Sequence, residues 1–534
     1  MNSKVKEKAK EEDLLATTAK GASYLILLQF VSRMLTFSLN QIVLQYVSKD
    51  NFGIASVNLE LLSSTILFIS REGFRSALVR PSKNQQQIIN LAYIPTCLGL
   101  VTTALTCGYY LSTITQQDLV EMPYYRVAVI CYGFASLIEL MVEPLFIVAL
   151  NNLYFQLRVM VEGIAVILRC LITFGLTLYF AGNDKLGILA FAVAQLVYGM
   201  IMFIGYSGFF LYKEKSILPL IPHKIKEGER TYWFDPALLY LGVTMTKQSV
   251  LKHVLTEGDK MLISILCSKE DRGVYAFVVN YGSLVVRILF QPLEETGRTF
   301  FSKLLAVQDE SKKKSARQTA YNVLLILIKL HVLLGFIFIC FATNYTSTLI
   351  DLLVGKKWST GQGNAPGVLG LYCVYVPFMG INGITEGFVQ AVATKKDLTR
   401  LSYFMVLFSG CFMASGFLFM HVFEMGATGL ILANMVNLGI RIGYSWYFIR
   451  GYFESSVTVS VKQWLPHAPT VTSFIMAWSI TFWSQNQMGW HSLKQKCIHI
   501  SIGGVCFIGV AAVILLAEKK LISDVKRLKD HKFQ

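Results

Sequence analysis

KQSVLKHVLTEGDKML, Lys247 to Leu262, lies between long apolar stretches yet carries Lys247, Lys252, His253, Glu257, Asp259 and Lys260. Read as a loop, it inverts every segment that follows. Read as a helix, it leaves charges inside a bilayer. The chain around it has 534 residues, 54% hydrophobic and 15% charged. Soluble chains carry about 25% charged residues, so the balance indicates an all-α polytopic membrane protein. Apolar segments of the roughly 20 residues that a crossing helix needs recur throughout. They are expected near 21–47, 53–79, 88–111, 124–150, 155–181, 186–212, 237–267 and 273–302, then 319–343, 366–393, 398–421, 425–450, 464–484 and 497–517. That makes about 14 transmembrane helices, of which only the seventh, holding the opening stretch, is doubtful by hydropathy.

Charge placement decides the seventh. With a cytosolic N-terminus and fourteen spans, the lysine-rich start, Arg71 to Lys83, Lys213 to Arg230, the run at 312–317, Lys395 to Arg400 and the tail at 519–532 share one face. The opposite face holds few basic residues, such as Lys49, Lys185, Lys269, Lys356 and Lys494. This obeys the positive-inside rule, and treating the opening stretch as a loop would turn the runs at 312–317 and 519–532 outward. The net charge of +16 therefore marks cytosolic membrane faces, with no nucleic-acid partner. No cleavable signal is expected, because the first apolar segment is long and lacks a small-residue cleavage site. The ten cysteines form no CxxC pair and no Cys/His ligand spacing, so neither a disulfide framework, a metal site nor a cofactor is read from them.

Internal similarity agrees. SKDNFGI (48–54) recurs as SKEDRGV (268–274), and GILAFAVAQL (187–196) resembles GLILANMVNL (429–438). Glu143 and Glu386 occupy matching places before the ends of their helices. Two parallel six-helix lobes around a central cavity are expected, 17–235 and 236–455. Two additional spans follow at 456–517, flanked by a disordered cytosolic tail at 1–16 and a basic one at 518–534.

Ionisable residues at mid-membrane cost about 2.5–3.5 kcal/mol each on insertion scales, so several on one helix imply a polar cavity or partners. His253, Glu257 and Lys260 fall on one helical face of the seventh span. Gln29, Arg33, Thr36 and Asn40 make a similar stripe in the first. The eighth has Arg287, Glu294, Glu295 and Arg298, with Pro292 expected to kink it, and the fourth has Glu139 and Glu143. The fifth carries Arg158, Glu162 and Arg169, the tenth Glu386, and the twelfth Asn434, Asn437 and Arg441. Simpler readings stand beside the cavity. Glu294, Glu295 and Arg298 lie near the cytosolic boundary, where side chains snorkel into water. Arg71, Glu72 and Arg75 end the second span as topological anchors would. Arg158 and Glu162 read as a structural pair.

Short loops leave no extramembrane domain, and the absence of GxxxxGK[ST] argues against ATP hydrolysis. Glu257-Gly-Asp259 resembles the paired acids of membrane glycosyltransferases, which usually carry a large lumenal domain; the chain is read as a non-enzyme. The sequon Asn344-Tyr-Thr346 falls on the lumenal side, close to the membrane.

FISREGFRSALVRP (68–81), the stretch 256–301, NGITEGFVQAVATK (382–395) and GLILANMVNLGIRI (429–442) resemble the Rft family of eukaryotic endoplasmic-reticulum proteins, over about residues 17–517. The resemblance implies the superfamily of bacterial lipid II flippases and multidrug exporters. Its implied function is translocation of dolichol-pyrophosphate-linked Man5GlcNAc2 from the cytosolic to the lumenal leaflet for N-glycosylation. With that ligand, Arg33, Arg71, Arg75, Lys260, Arg287 and Arg298 are expected to hold the pyrophosphate. Glu257, Asp259, Asn40 and Asn434 would meet sugars or gate lobe closure, His253 would line the cavity, and Glu143, Glu386, Glu294 and Glu295 would serve coupling or gating. A monomer in the endoplasmic-reticulum membrane with both termini cytosolic is expected. Two alternatives remain: a cation-coupled multidrug-type exporter using Glu143, Glu386 or Asp259, and a non-transporting accessory protein of the same pathway.

Overall fold

The computed structural model describes residues 38–39, 41, 43–78, 85–152, 154–180, 183–214, 221–227, 230–305, 310–359, 364–454, 460–489 and 492–530. Arg33, Asn40, the N-terminal tail and most of the first expected span lie outside these residues, as do the side chains of Arg287 and Glu295.

Helix α1 is Lys49–Leu78, α2 Gln85–Thr113 and α3 Tyr125–Asn151. Next come α4, Phe155–Tyr179, α5, Gly187–Glu214, and α6, Pro236–Leu266, which holds the opening stretch. Helix α7 runs Lys269–Val285 and passes through a π-turn, Val286–Phe290, into Gln291–Leu305. Helix α8 joins Glu310–Ile337 to Thr343–Leu353 through a second π-turn. Then follow α9, Ala365–Val392, α10, Lys395–Phe417, and α11, Gly426–Phe453. Last are α12, Ala468–Met488, α13, Leu493–Ala517, and the amphipathic α14, Lys519–Asp530.

Among the described residues, ten helices are long and apolar enough to cross a membrane. The fourteen expected are thus not all established. Helices α6, α11 and α12 have the length but fall short in hydropathy. In α6 the cause is the opening stretch. In α11 it is Asn434, Asn437 and Arg441, and in α12 the Thr, Ser, Gln and Asn residues of 470–487. Hydropathy alone flags three helices, where the sequence reading doubted one.

Local signals explain the helix starts. Ser48 accepts a hydrogen bond from the Asn51 backbone N–H, and Ser268 does the same for Asp271, so the repeated SKDN/SKED stretches serve as matching N-caps. Thr115/Asp118, Thr394/Asp397 and Ser492/Gln495 form capping boxes.

The chain forms two compact units, Met1–Met261 and Leu262–Gln534, whose boundary falls late in α6. Close backbone approach explains why most of α6 packs with the first unit. A Cβ on Gly73 of α1 would collide with the Thr246 backbone, and one on Gly242 would lie 2.6 Å from the Phe74 ring. Without a hydrophobic drive between helices in lipid, such small-residue contacts are the usual means of association. A short antiparallel hairpin, β1 Ile225–Glu227 and β2 Arg230–Tyr232, precedes α6. Asn90, 1% exposed near the start of α2, secures its flanks. It donates to His223 O at 2.8 Å and Trp233 O at 2.6 Å, and accepts from His223 N at 3.1 Å.

In the second unit, α12 and α13 are held to α8 by polar contacts at two levels and to each other at a third. Lys496 pairs with Asp351, which also accepts from Ser359 at 2.9 Å. Midway, the buried Asn344 donates to Thr481 Oγ1 at 2.9 Å and Trp478 O at 3.1 Å. His499 sits 2.9 Å from Ser484 Oγ and stacks on Tyr345 at 4.1 Å. At the other end the buried Glu518 accepts from the His467 backbone N–H at 2.7 Å, and the His467 imidazole stands 2.9 Å from its other oxygen.

Two outcomes are expected. The Asn344 side-chain nitrogen is committed to α12, and Asn344 and Thr346 are each 4% exposed, so endoglycosidase treatment should leave the electrophoretic mobility unchanged. A shift abolished by Asn344→Gln would contradict this packing. Burial opposes ionisation of Glu518, yet the His467 backbone and imidazole hold its carboxyl below the usual range. A depressed carboxyl contributes stability that is complete above its unfolded value of about 4.3 and lost as pH falls through the folded value. Thermal melts of the purified protein should weaken on this account only below that range. Glu518→Gln should remove the acid-dependent component and lower the neutral-pH melting temperature by a few degrees.

Candidate functional site: membrane-embedded charges

Arg71 and Arg75 are one turn apart on α1, and Glu139 and Glu143 are one turn apart on α3. The i,i+4 spacing puts each pair on one face. Arg71 Nη1 meets Glu139 Oε1 at 2.6 Å. Arg75 grips Glu143 with two bonds, Nε–Oε1 at 2.6 Å and Nη2–Oε2 at 2.5 Å. Both rungs have the same sequence separation, 68, so α1 and α3 run parallel. Asn58–Tyr125 at 3.2 Å and Ser63–Ser136 at 2.8 Å extend the seam toward the helix starts.

Aromatic faces support the cations. The Arg75 guanidinium lies 4.1 Å from the Phe146 ring centroid and that of Arg158 lies 5.4 Å from it, within cation–π range. Arg158 also pairs with Glu162 one turn on, at 2.9 Å. On α6, Lys260 pairs with Glu257 at 2.9 Å, and Asp259 accepts from the Lys260 backbone N–H at 2.8 Å. His253 turns instead to α1: its Nε2 is 2.9 Å from Thr65 Oγ1, and its ring is 5.2 Å from Phe68.

The second unit has its own charges. Glu386 of α9 accepts from Arg441 of α11, from Asn382 at 3.2 Å and from Gln390 at 3.1 Å. Arg298 pairs with Glu294 at 3.0 Å along α7. A Cβ at Gly383 would lie 2.7 Å from Glu294 Oε2, so glycine admits that carboxylate against α9. Asn434 bonds its own helix, to Leu430 O at 3.2 Å.

Of the expected site residues, Arg71 and Arg75 are thus bound to carboxylates, and Glu257 and Lys260 to each other. Glu143 and Glu386 hold arginines of neighbouring helices. Among the described residues Asn434 is not joined to any of the others by a hydrogen bond. Missing from the expected set were Glu139, Arg441 and Thr65 as partners; the matched i,i+4 spacing of the two Arg and two Glu was the available signal for the first. Among the described residues no cluster of His, Cys, Asp or Glu could hold a metal ion. The arrangement offers guanidinium and carboxylate groups at membrane depth, suited to an anionic and hydroxyl-rich ligand.

Residues 17–528 match the family described as "Rft protein". The chain is 33% identical over 533 residues to "Man(5)GlcNAc(2)-PP-dolichol translocation protein RFT1" of Xenopus tropicalis, covering 96% of this chain and 97% of that one. It is 31% identical to the protein of that name in Mus musculus, with 96% of each chain covered. To the Saccharomyces cerevisiae protein it is 30% identical, over 84% of this chain and 85% of the relative. Among solved structures, "Lipid II flippase MurJ, inward closed conformation" superposes with a TM-score of 0.58 at 13% identity, over 91% of this chain and 98% of that one. The last likeness is one of fold. With the family description matched over nearly its whole length and relatives above 30% identity across both chains, the chain belongs to the Rft family.

Proposed function

We propose that this chain translocates dolichol-pyrophosphate-linked Man5GlcNAc2 from the cytosolic to the lumenal leaflet of the endoplasmic-reticulum membrane, supplying N-glycosylation. The observation that carries the reading is the near full-length similarity to relatives named for that translocation. The MurJ-like fold, from a protein named as a lipid flippase, supports it. The chain acts as a transporter and not as an enzyme, with both termini cytosolic by the charge bias of its loops.

In this reading the ligand passes along the embedded charges. The pyrophosphate is drawn to Arg33, Arg71, Arg75, Lys260, Arg287 and Arg298, and the sugars to Asn40, His253, Glu257, Asp259 and Asn434. Arg71 and Arg75 each meet a phosphate in competition with the carboxylate already paired to them. That exchange gives Glu143 a gating role in the first unit. Glu386, locked to Arg441, has the equivalent place in the second, on the helix that Glu294 of α7 packs against. Fully paired arginines also suit a second reading, an accessory protein whose charges only hold its helices together.

Liposomes separate the two. Purified protein should move labelled lipid-linked heptasaccharide across the bilayer faster than empty vesicles do; equal rates would rule out direct transport. A pair of variants refines the test. Arg75→Ala leaves Glu143, 1% exposed, as an uncompensated charge and should cost about 3–5 kcal/mol of stability, read as a large fall in melting temperature. Arg75→Met combined with Glu143→Leu should restore stability, because an apolar pair of similar volume is often neutral. Transport by the double variant should nonetheless fall at least tenfold if the pair gates. Unchanged transport would assign the pair to structure alone.

A further inference from the structure

Arg169 stands apart from Arg71, Arg75 and Arg158. It lies within α4, Phe155–Tyr179, about 21 Å from one end and about 15 Å from the other at 1.5 Å per residue. That is near the middle of a hydrocarbon core of about 30 Å. Arg71, Arg75 and Arg158 each hold a carboxylate at 2.9 Å or less. Among the described residues Arg169 holds none, and its guanidinium makes no hydrogen bond. Its one close contact is the Tyr198 ring of α5, 6.0 Å from the centroid, at the outer limit of a cation–π interaction.

What surrounds it is polar without closing on it. Glu60 of α1, the first residue after the π-turn Ile54–Leu59, is within electrostatic reach of Arg169. It is also within reach of Lys260 on α6, yet forms an ion pair with neither. The Tyr132 and Tyr198 phenols of α3 and α5 complete the surroundings. Glu60 is exposed and Arg169 half-buried. π-turns inside helices often mark functional positions, and this one immediately precedes Glu60. A guanidinium with five free donors is a strong receptor for a phosphate group, and desolvation strengthens it further.

We infer that Arg169 receives the pyrophosphate of the lipid-linked substrate at mid-membrane, with Glu60 accepting from hydroxyls of the adjoining sugar. The inference rests on the translocation reading and deepens it. Arg71 and Arg75 bind an anion in competition with a carboxylate; Arg169 does not.

The test uses full-length protein in detergent, with farnesyl pyrophosphate, farnesyl monophosphate and farnesol as probes, and thermal melting as the control for folding. Wild-type protein should bind the pyrophosphate more tightly than the monophosphate or the alcohol. Arg169→Gln should weaken pyrophosphate binding about tenfold or more, leave farnesol binding unchanged and not lower the melting temperature, since no ion pair is lost. Arg169→Lys keeps the charge but loses the planar fork, so it should reduce the preference for pyrophosphate over monophosphate. That ratio decides the matter if the glutamine variant fails to fold. Equal binding by wild type and Arg169→Gln, or an unchanged ratio in Arg169→Lys, overturns the role of Arg169 and leaves translocation standing. No pyrophosphate binding by wild-type protein overturns the inference as well. Translocation itself falls only to the liposome measurement.

Discussion

Glu143 is 1% exposed within a membrane helix, where Arg75 meets it with two hydrogen bonds and rests on the Phe146 ring. Removing a charge from water is so unfavourable that a buried carboxylate such as Glu139, Glu143 or Glu386 needs a cation, and that requirement helps to set which helices touch. Arg75 with Glu143 and Arg71 with Glu139 place α1 beside α3 at one register, and the Asn58 and Ser63 contacts follow from it. In the second unit Arg441 and Glu386 join α11 to α9 in the same way. Apolar packing fills in around these fixed points, through small residues such as Gly73 and Gly242.

The helical pattern was legible because its signals are local. Long apolar runs, Ser-Lys and Thr-x-x-Asp starts, and the i,i+4 spacing of charges all lie within a few residues of one another. The opening stretch is a helix, as charge bias and the internal repeat required. Partnership was less legible, because it depends on inter-helix register. Arg71 and Arg75 present the same spacing to any helix with two acids one turn apart; only the folded chain selects Glu139 and Glu143. His253 shows the same limit, since it shares a face with Glu257 and Lys260 in sequence but bonds Thr65 of α1. The hairpin at Ile225–Tyr232 escaped notice because strands of three residues carry no periodic signal.

The two added helices, α12 and α13, illustrate how polar groups can attach a module. Their outward faces carry Ile475, Met476, Phe482, Trp483, Val505, Ile508 and Leu515, all exposed, as lipid-facing side chains are. Their inward contacts with α8 run through Asn344, Thr481, Ser484, His499, Lys496 and Asp351. Polar bonds of this kind are directional, so they fix one docking geometry where apolar surfaces alone would permit sliding.

The Asn90 amide has a consequence for biosynthesis. Its partners, His223 and Trp233, lie more than a hundred residues downstream, after α3, α4 and α5 have been made. A nascent chain that has reached only α5 therefore carries an Asn90 amide whose oxygen can meet Gln86 of the same helix but whose nitrogen lacks the two carbonyls it bonds in the folded chain. The first unit completes its polar contacts at this point only when the hairpin emerges from the ribosome and closes over α2. A defect at Asn90 would then appear as slow maturation and degradation of new chains, with any molecules that do assemble working normally.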